Sequence, residues 1–395
     1  MRLCFVIQRY GPEVAGGAEM HCRWLAERLA ERHQVQVVTT CALDYIEWRN
    51  HYPPGESRVS GIKVTRHPVA RPRSEHQFAL LSELVFGEER SRGAERAWVE
   101  ENGPRCPGLV KSLSRLPDVD LFLFYCYRYY QTFFGLPRVA DRAVLVPTAE
   151  DDPAIQLSVF HELFRSPRGI IYLTPEEQAL VQGRSGNQSV PSAVVGSGVN
   201  VPEGWQTLDV RSRFELPERF LLYVGRIDRN KGVDRLLRYY EWLARDWREL
   251  PPLVLAGKQV LEVPQHPKLR VLGFVSEAEK FALLAACDLL LMPSPYESLS
   301  IIALESWAVG RALLANSQCK VLEGQCRRSG GGLYYEDFAE FASAMHLLLG
   351  DPELRGRLGG SGRAYVEQEY AWQRVAERTE SLLSRLLAER EASGG

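Results

Sequence analysis

The chain lacks the usual marks of a metal, redox or membrane protein. It has eight cysteines but no CxxC pair, so neither a disulfide framework nor a thiol redox motif has a spacing to rest on. It has no HxxxH and no Cys/His cluster of zinc spacing. No apolar run is long enough to span a bilayer. Leu3–Ile7 is too short for a leader and no small-residue cleavage site follows it, so it reads as a first buried strand. There is no GxxxxGK[ST] phosphate loop, and the glycines near the start do not follow GxGxxG. An excess of charge is missing too. The 48 basic and 50 acidic residues leave a formal net charge of −2, which gives no global drive toward nucleic acid. Short repeats and low-complexity tracts are absent.

What remains is an ordinary globular composition, 45% hydrophobic and 25% charged. At 395 residues the chain is too long for one core and implies two domains. Cys4, Cys126 and Cys287 lie in apolar segments and read as small core residues. Cys319 and Cys326 share a loop-like stretch, and nothing in the sequence pairs them. A reducing compartment, and so a cytoplasmic location, is expected.

Apolar strands alternate with amphipathic helices. Leu3–Ile7 is followed by a glycine loop and a helix from Met20 to Arg32. Val35–Thr40, Gly61–Arg66, Asp120–Tyr125, Ala143–Pro147 and Gly169–Thr174 read as strands, and Ala154–Phe164 as a helix. Val201–Thr207 reads as a linker. A second set of strands begins at Phe220, with others at Leu253–Ala256, Leu269–Leu272, Leu289–Met292 and Ala312–Ala315. Trp372–Glu391 is strongly helical. The alternation implies doubly wound parallel sheets, an α/β fold.

Two segments carry chemistry. Asp288–Met292 is a buried strand that leads into Pro293-Ser-Pro-Tyr-Glu-Ser-Leu-Ser-Ile-Ile-Ala-Leu-Glu305, where Ser298 or Ser300 can cap a helix. Glu297 and Glu305 lie eight positions apart, so they are about 80° apart round a helix axis. Free N–H groups at the helix start suit phosphate, and the acids suit sugar hydroxyls. The plainer reading is a loop acid and a capped helix bearing an exposed acid. In the second segment, Phe220–Leu237, Arg226 and Lys231 flank a glycine turn at a strand's carboxyl edge. Open α/β sheets bind ligands there, and these cations can neutralise a pyrophosphate.

Tyr223-Val-Gly-Arg-Ile-Asp-Arg-Asn-Lys-Gly232 followed by Glu297-(seven residues)-Glu305 resembles the retaining glycosyltransferase family 4 of the GT-B fold. Gly11–Glu19, Val194–Asn200 and Val271–Ser276 resemble further segments of that family. The resemblance implies two Rossmann-like domains facing a cleft, residues 1–200 on the acceptor side and 207–371 binding the nucleotide sugar. A helix over 372–395 would cross back to the first domain. It implies a sugar moved from a nucleotide diphosphate sugar to a hydroxyl of a glycan or lipid-linked acceptor, with retention and no metal or cofactor. Gly16 and Gly17 would face the donor. Arg226, Lys231 and the N–H groups of Leu299, Ser300 and Ile301, with Ser298 beside them, would hold its diphosphate. Val275 would lie by the base, Glu297 would bind sugar hydroxyls, and Glu305 the ribose.

The chain departs from the family at Val146–Pro153, where a histidine that contacts the donor sugar is common and Glu150 stands. Either Glu150 takes the histidine's catalytic place or the donor chemistry is altered or lost; the plain alternative is that Glu150 and Asp151 only cap the next helix. The departure motivates one alternative, a nucleotide-sugar-binding protein without transfer; the other is a GT-B enzyme of a different class, such as a nucleotide-sugar 2-epimerase or a phosphorylase. Asp151-Asp152 is a candidate for a divalent ion, but reads first as a turn or cap. The aromatic run Tyr125–Phe134 reads first as core, then as part of an acceptor cleft. Arg66–Arg73 reads as a solvated basic loop, with contact to an anionic membrane surface as the sharper option.

Overall fold

A computed structural model of the chain describes residues 1–14, 16–87 and 90–393. The chain divides into two compact units, Met1–Ser197 with Trp372–Gly395, and Gly198–Ala371. No helix among the described residues is long and apolar enough to cross a membrane.

In the first unit the elements run β1 (Arg2–Val6), α1 (Gly17–Ala30), β2 (Gln34–Thr40), β3 (Gly55–Val59), β4 (Ile62–His67), α2 (Glu75–Phe86), α3 (Arg92–Asn102), α4 (Pro107–Leu113), β5 (Leu121–Tyr125), α5 (Tyr130–Gly135), β6 (Ala143–Val146), α6 (Val159–Arg165), β7 (Gly169–Tyr172), α7 (Pro175–Ser185) and β8 (Ser192–Val194). The sheet order is β3-β4-β2-β1-β5-β6-β7-β8. Every pairing is parallel except β3–β4, an antiparallel edge hairpin. The central strands are apolar on both faces because both are covered: β5 and β6 are buried throughout. Phe122, Phe124 and Leu145 share a core with Trp98 and Phe160.

The second unit runs α8 (Val210–Arg213), β9 (Leu221–Val224), α9 (Val233–Asp246), β10 (Leu253–Ala256), β11 (Leu269–Gly273), α10 (Glu277–Ala286), β12 (Leu289–Met292), α11 (Ile301–Ala308), β13 (Leu313–Asn316), α12 (Lys320–Ser329), β14 (Gly332–Tyr335), α13 (Phe338–Gly350) and α14 (Pro352–Glu369). Its six strands are all parallel, in the order β11-β10-β9-β12-β13-β14. The core joins Leu221, Leu253, Leu289 and Leu314 to Leu236, Tyr240 and Phe341.

The last helix, α15 (Trp372–Ser393), belongs to the first unit and packs on α1, β7 and β8. Trp372 meets Trp24 edge-on with ring centroids 6.3 Å apart. Glu380 lies 2.9 Å from His33. Gly169 makes room for Leu386, whose Cδ1 would lie 2.5 Å from an added Cβ.

Four expectations need correction. The first helix begins at Gly17, not Met20. The helix expected over Ala154–Phe164 is broken into a 3-10 turn, Pro153–Gln156, and α6, with Leu157 extended between them. Arg66 is no part of a solvated loop: it lies on β4 and is buried, donating to the Tyr10 carbonyl at 2.9 Å. The cysteines of the loop-like stretch, Cys319 and Cys326, are buried and free, one directly before α12 and one within it.

Candidate functional site

Among the parallel strands of each sheet the order reverses direction once, between β9 and β12 in the second unit and between β1 and β5 in the first. The loops leaving the carboxyl ends of such neighbours diverge and leave an opening for a ligand.

At the β9 edge the chain turns through Gly225 and reaches Gly232, which precedes α9 with φ +71°. A Cβ on Gly232 would lie 2.3 Å from the Pro293 carbonyl oxygen, so only glycine lets this loop close on the segment after β12. That approach brings together two residues distant in sequence. Lys231 Nζ lies 2.8 Å from Glu297 Oε1. Asp228 accepts the Lys231 N–H at 2.8 Å and pairs with Arg226. The Tyr223 hydroxyl donates to the Arg226 carbonyl at 2.7 Å. Two cations and two acids are thus gathered at the reversal point.

Ser300 caps α11, its hydroxyl accepting the Ala303 N–H at 3.4 Å. The Ser300 N–H donates to Gln325 Oε1 at 3.2 Å, so it is not free for a diphosphate. Among the described residues the N–H groups of Leu299 and Ile301 have no partner. Ser298 is half-buried beside them. Glu305 is not an exposed helix acid. It is 2% exposed, and its Oε1 lies 2.8 Å from Lys280 Nζ on α10. Burial pushes its carboxyl up to about 7, against the pull of Lys280. Val275 lies between β11 and Ser276, which caps α10 in a reciprocal capping box with Glu279.

At the β1 edge of the first unit, Arg9 lies 2.6 Å from Glu19, which also accepts from Gln8 at 2.9 Å. Gly16 precedes α1 with φ −81°, so a left-handed backbone is not why glycine stands there. An added Cβ would lie 2.1 Å from Glu19 Oε2; the glycine makes room for the Arg9–Glu19 pair. Gly17 opens α1 and is exposed, and Ala15 of the same loop lies outside the described residues.

Glu150 follows β6, with Oε2 3.8 Å from Arg128. The capping expected of Glu150 and Asp151 falls to Asp152, which accepts the Ala154 N–H at 3.1 Å and pairs with Arg128 at 2.7 Å. Thr148 has φ +49°, an uncommon conformation for a β-branched residue. Next to it, the Ala149 N–H donates to Glu177 Oε1, and the Leu173 N–H to Glu177 Oε2, both at 2.6 Å. Burial, with a smaller effect of the Glu150 charge, pushes the Glu177 carboxyl up to about 8, opposed by those N–H groups. The aromatic run serves the core: Tyr125 and Tyr127 are fully buried, and Tyr127 packs edge-on against Phe160 at 4.7 Å.

Residues 206–365 match the family model described as glycosyl transferases group 1. Over nearly its full length the chain is similar to a glycogen synthase from Mycobacterium tuberculosis, 26% identical with 96% of this chain and 93% of that protein covered. It is 30% identical to an alpha-D-kanosaminyltransferase from Streptomyces kanamyceticus, over 41% of this chain and 45% of that one. Its architecture superposes on an alpha,alpha-trehalose 6-phosphate synthase from Burkholderia multivorans with a TM-score of 0.74, at 14% identity, covering 98% of this chain and 99% of that one. Anabaena HepE, solved in complex with UDP and glucose, gives 0.69 at 16% identity, covering 98% and 100%. The fold is GT-B.

Within this GT-B chain the sequence reading missed five residues that shape the two edges: Asp228, Lys280 and Gln325 in the second unit, Arg128 and Glu177 in the first. Asp228 stood inside the quoted motif and could have been read as the partner of Arg226 from spacing alone. Lys280 and Gln325 act across 25 residues each, on Glu305 and Ser300, and left no local signal. Glu177 had one: Thr174-Pro-Glu-Glu177 is the start of a capping box, and its carboxylate also reaches Leu173 and Ala149.

Proposed function

We propose that the chain is a metal-independent, retaining glycosyltransferase. It would move a sugar from a nucleotide diphosphate sugar to a hydroxyl of a glycan or lipid-linked acceptor. The observation that carries this is the Lys231–Glu297 pair at the β9/β12 reversal, beside the start of α11. Lys231, Arg226 and the Leu299 and Ile301 N–H groups neutralise the diphosphate as the sugar–oxygen bond breaks. Glu297 holds sugar hydroxyls. The acceptor oxygen attacks the same face, and its proton passes to the departing phosphate oxygen. UDP and glucose, the ligands named for HepE, are of the class this site suits. The eight free, buried cysteines suit a reducing compartment.

The test is a thermal-shift panel of UDP-, GDP-, ADP- and dTDP-sugars on the full chain, followed by transfer to sugar acceptors with NMR assignment of the new anomeric centre. One donor class should raise Tm with concentration, since a ligand of the folded state stabilises it by mass action. Stabilisation by none would refute the reading, and an inverted product would refute retention.

Glu150 is proposed to position the donor sugar. Asp152 does the capping, so the two acids should separate in experiment. Glu150→Ala is expected to lower kcat at least tenfold with little change in Tm. Asp152→Ala should lower stability by about 1 kcal/mol, the usual cost of a lost cap. Unchanged turnover in Glu150→Ala would remove the catalytic role.

A further inference from the structure

We infer that Lys280 is a positioning residue of the nucleotide subsite, holding the buried Glu305 carboxylate oriented so that its second oxygen takes the ribose hydroxyls. The inference rests on the proposed function and extends it to a residue on a different helix.

Glu305 is 2% exposed and uses one oxygen, Oε1, for Lys280 at 2.8 Å. Its Oε2 has no hydrogen-bond partner among the described residues. That oxygen is not among the enclosed, unpartnered side-chain atoms of the described residues, so the small exposure Glu305 keeps leaves it open to a group arriving from the surface. An ion pair kept only for the fold would be expected to satisfy both oxygens. An open oxygen fixed by a lysine on the other suits a donor that arrives later, and a vicinal diol supplies two O–H groups to one carboxylate.

Lys280 is itself 9% exposed and is anchored from both sides. Its Nζ lies 2.8 Å from Glu305 and 2.8 Å from Glu277, one turn earlier on α10, whose side chain is 54% exposed. The ammonium is therefore held between a surface acid and a buried one and has little freedom to turn away. Lys280 and Glu277 are the charged groups that act on Glu305. Of the other helices packed on α10 and α11, α14 turns Tyr365 toward Trp307, and α8 sends Arg213 to Glu279 at 2.6 Å. Neither helix supplies a second cation to Glu305. Lys280 is thus the group that opposes the desolvation of this acid, and the Glu305 carboxyl still sits at about 7.

The test is calorimetry on the full chain with UDP, GDP and ADP, each beside its 2′,3′-dideoxy counterpart, from pH 6 to pH 9. The wild type should prefer the ribose form, with the preference fading as pH falls through about 7, where Glu305 takes a proton. In Lys280→Met the carboxyl loses its cation and its pKa rises. The preference at pH 7 should fall about tenfold or more, the usual weight of a hydrogen bond to a charged acceptor. It should return toward pH 9, and Lys280→Arg should keep it at pH 7. A merely structural lysine would lower Tm without moving the pH midpoint of the ribose preference. Lys280→Gln, which keeps a donor and removes the charge, gives the same comparison should the methionine variant not fold. A wild-type ribose preference and midpoint in these neutral variants would overturn the inference alone. A wild type that binds none of the three diphosphates would overturn the proposed function, and the inference with it.

Discussion

Lys231→Ala is expected to lower kcat/KM by about 100-fold or more, the scale seen when one preorganised donor to a developing anion is removed. The size follows from where the lysine is held. Its N–H is tied to Asp228 at 2.8 Å and its ammonium to Glu297 at 2.8 Å, so both ends are fixed before a ligand arrives. The side chain is 31% exposed, wet enough to exchange partners and dry enough for its charge to count. Lys231→Arg should recover only part of the loss, because a planar fork cannot replace a compact point charge in the same space. The variant has a second effect to separate. Without the lysine, Glu297, whose side chain is 14% exposed beside it, loses that partner. A double-mutant cycle with Glu297→Gln divides the two contributions. Wild-type kcat/KM in Lys231→Ala would end the assignment of this edge to a diphosphate.

The geometry behind that prediction was only partly legible in the sequence. The two sheets were legible, because buried parallel strands are short continuous apolar runs, and Leu289–Met292 and Leu253–Ala256 begin and end as expected. β3 was not. Its residues Gly55-Glu-Ser-Arg-Val59 are mostly exposed on an edge and carry no apolar signal. β14 was also missed, since Gly332-Leu-Tyr-Tyr335 begins with a glycine, which the packing needs because an added Cβ would clash with the Leu313 carbonyl oxygen at 2.4 Å. The start of α1 was placed late because two glycines oppose a helix locally. The packing of Glu19 over Gly16 and onto Arg9 overrides that preference.

The site divides in the same way. Glu297, Glu305, Arg226 and Lys231 were visible as residue types at a spacing. Their pairing was not, because spacing along a chain does not say which acid meets which cation. Arg226 turns to Asp228, Lys231 to Glu297 and Glu305 to Lys280. Those partners change what each residue can do. Glu305, an exposed helix acid on the plainer of the two readings, is buried, and an N–H read as free, that of Ser300, is taken by Gln325.

The pairing also decides what to expect of Glu297→Gln. Removing the carboxylate frees Lys231 from its partner and leaves the cation in place. Affinity for a nucleoside diphosphate should therefore hold or tighten, since the phosphates no longer compete with Glu297 for the ammonium. Transfer should suffer. A neutral amide accepts weaker hydrogen bonds from sugar hydroxyls than a carboxylate does, and charge-assisted bonds are about twice as strong. A drop of about 100-fold in kcat is expected if the bonds tighten as the sugar gains positive charge, since only interactions stronger in the transition state raise the rate. The combination is diagnostic. A structural role would weaken binding and turnover together and lower Tm. Calorimetry with the diphosphate beside steady-state kinetics reads both quantities on one preparation. A loss of diphosphate affinity equal to the loss of turnover would mean that Glu297 only orients Lys231, and that the sugar is held by other groups.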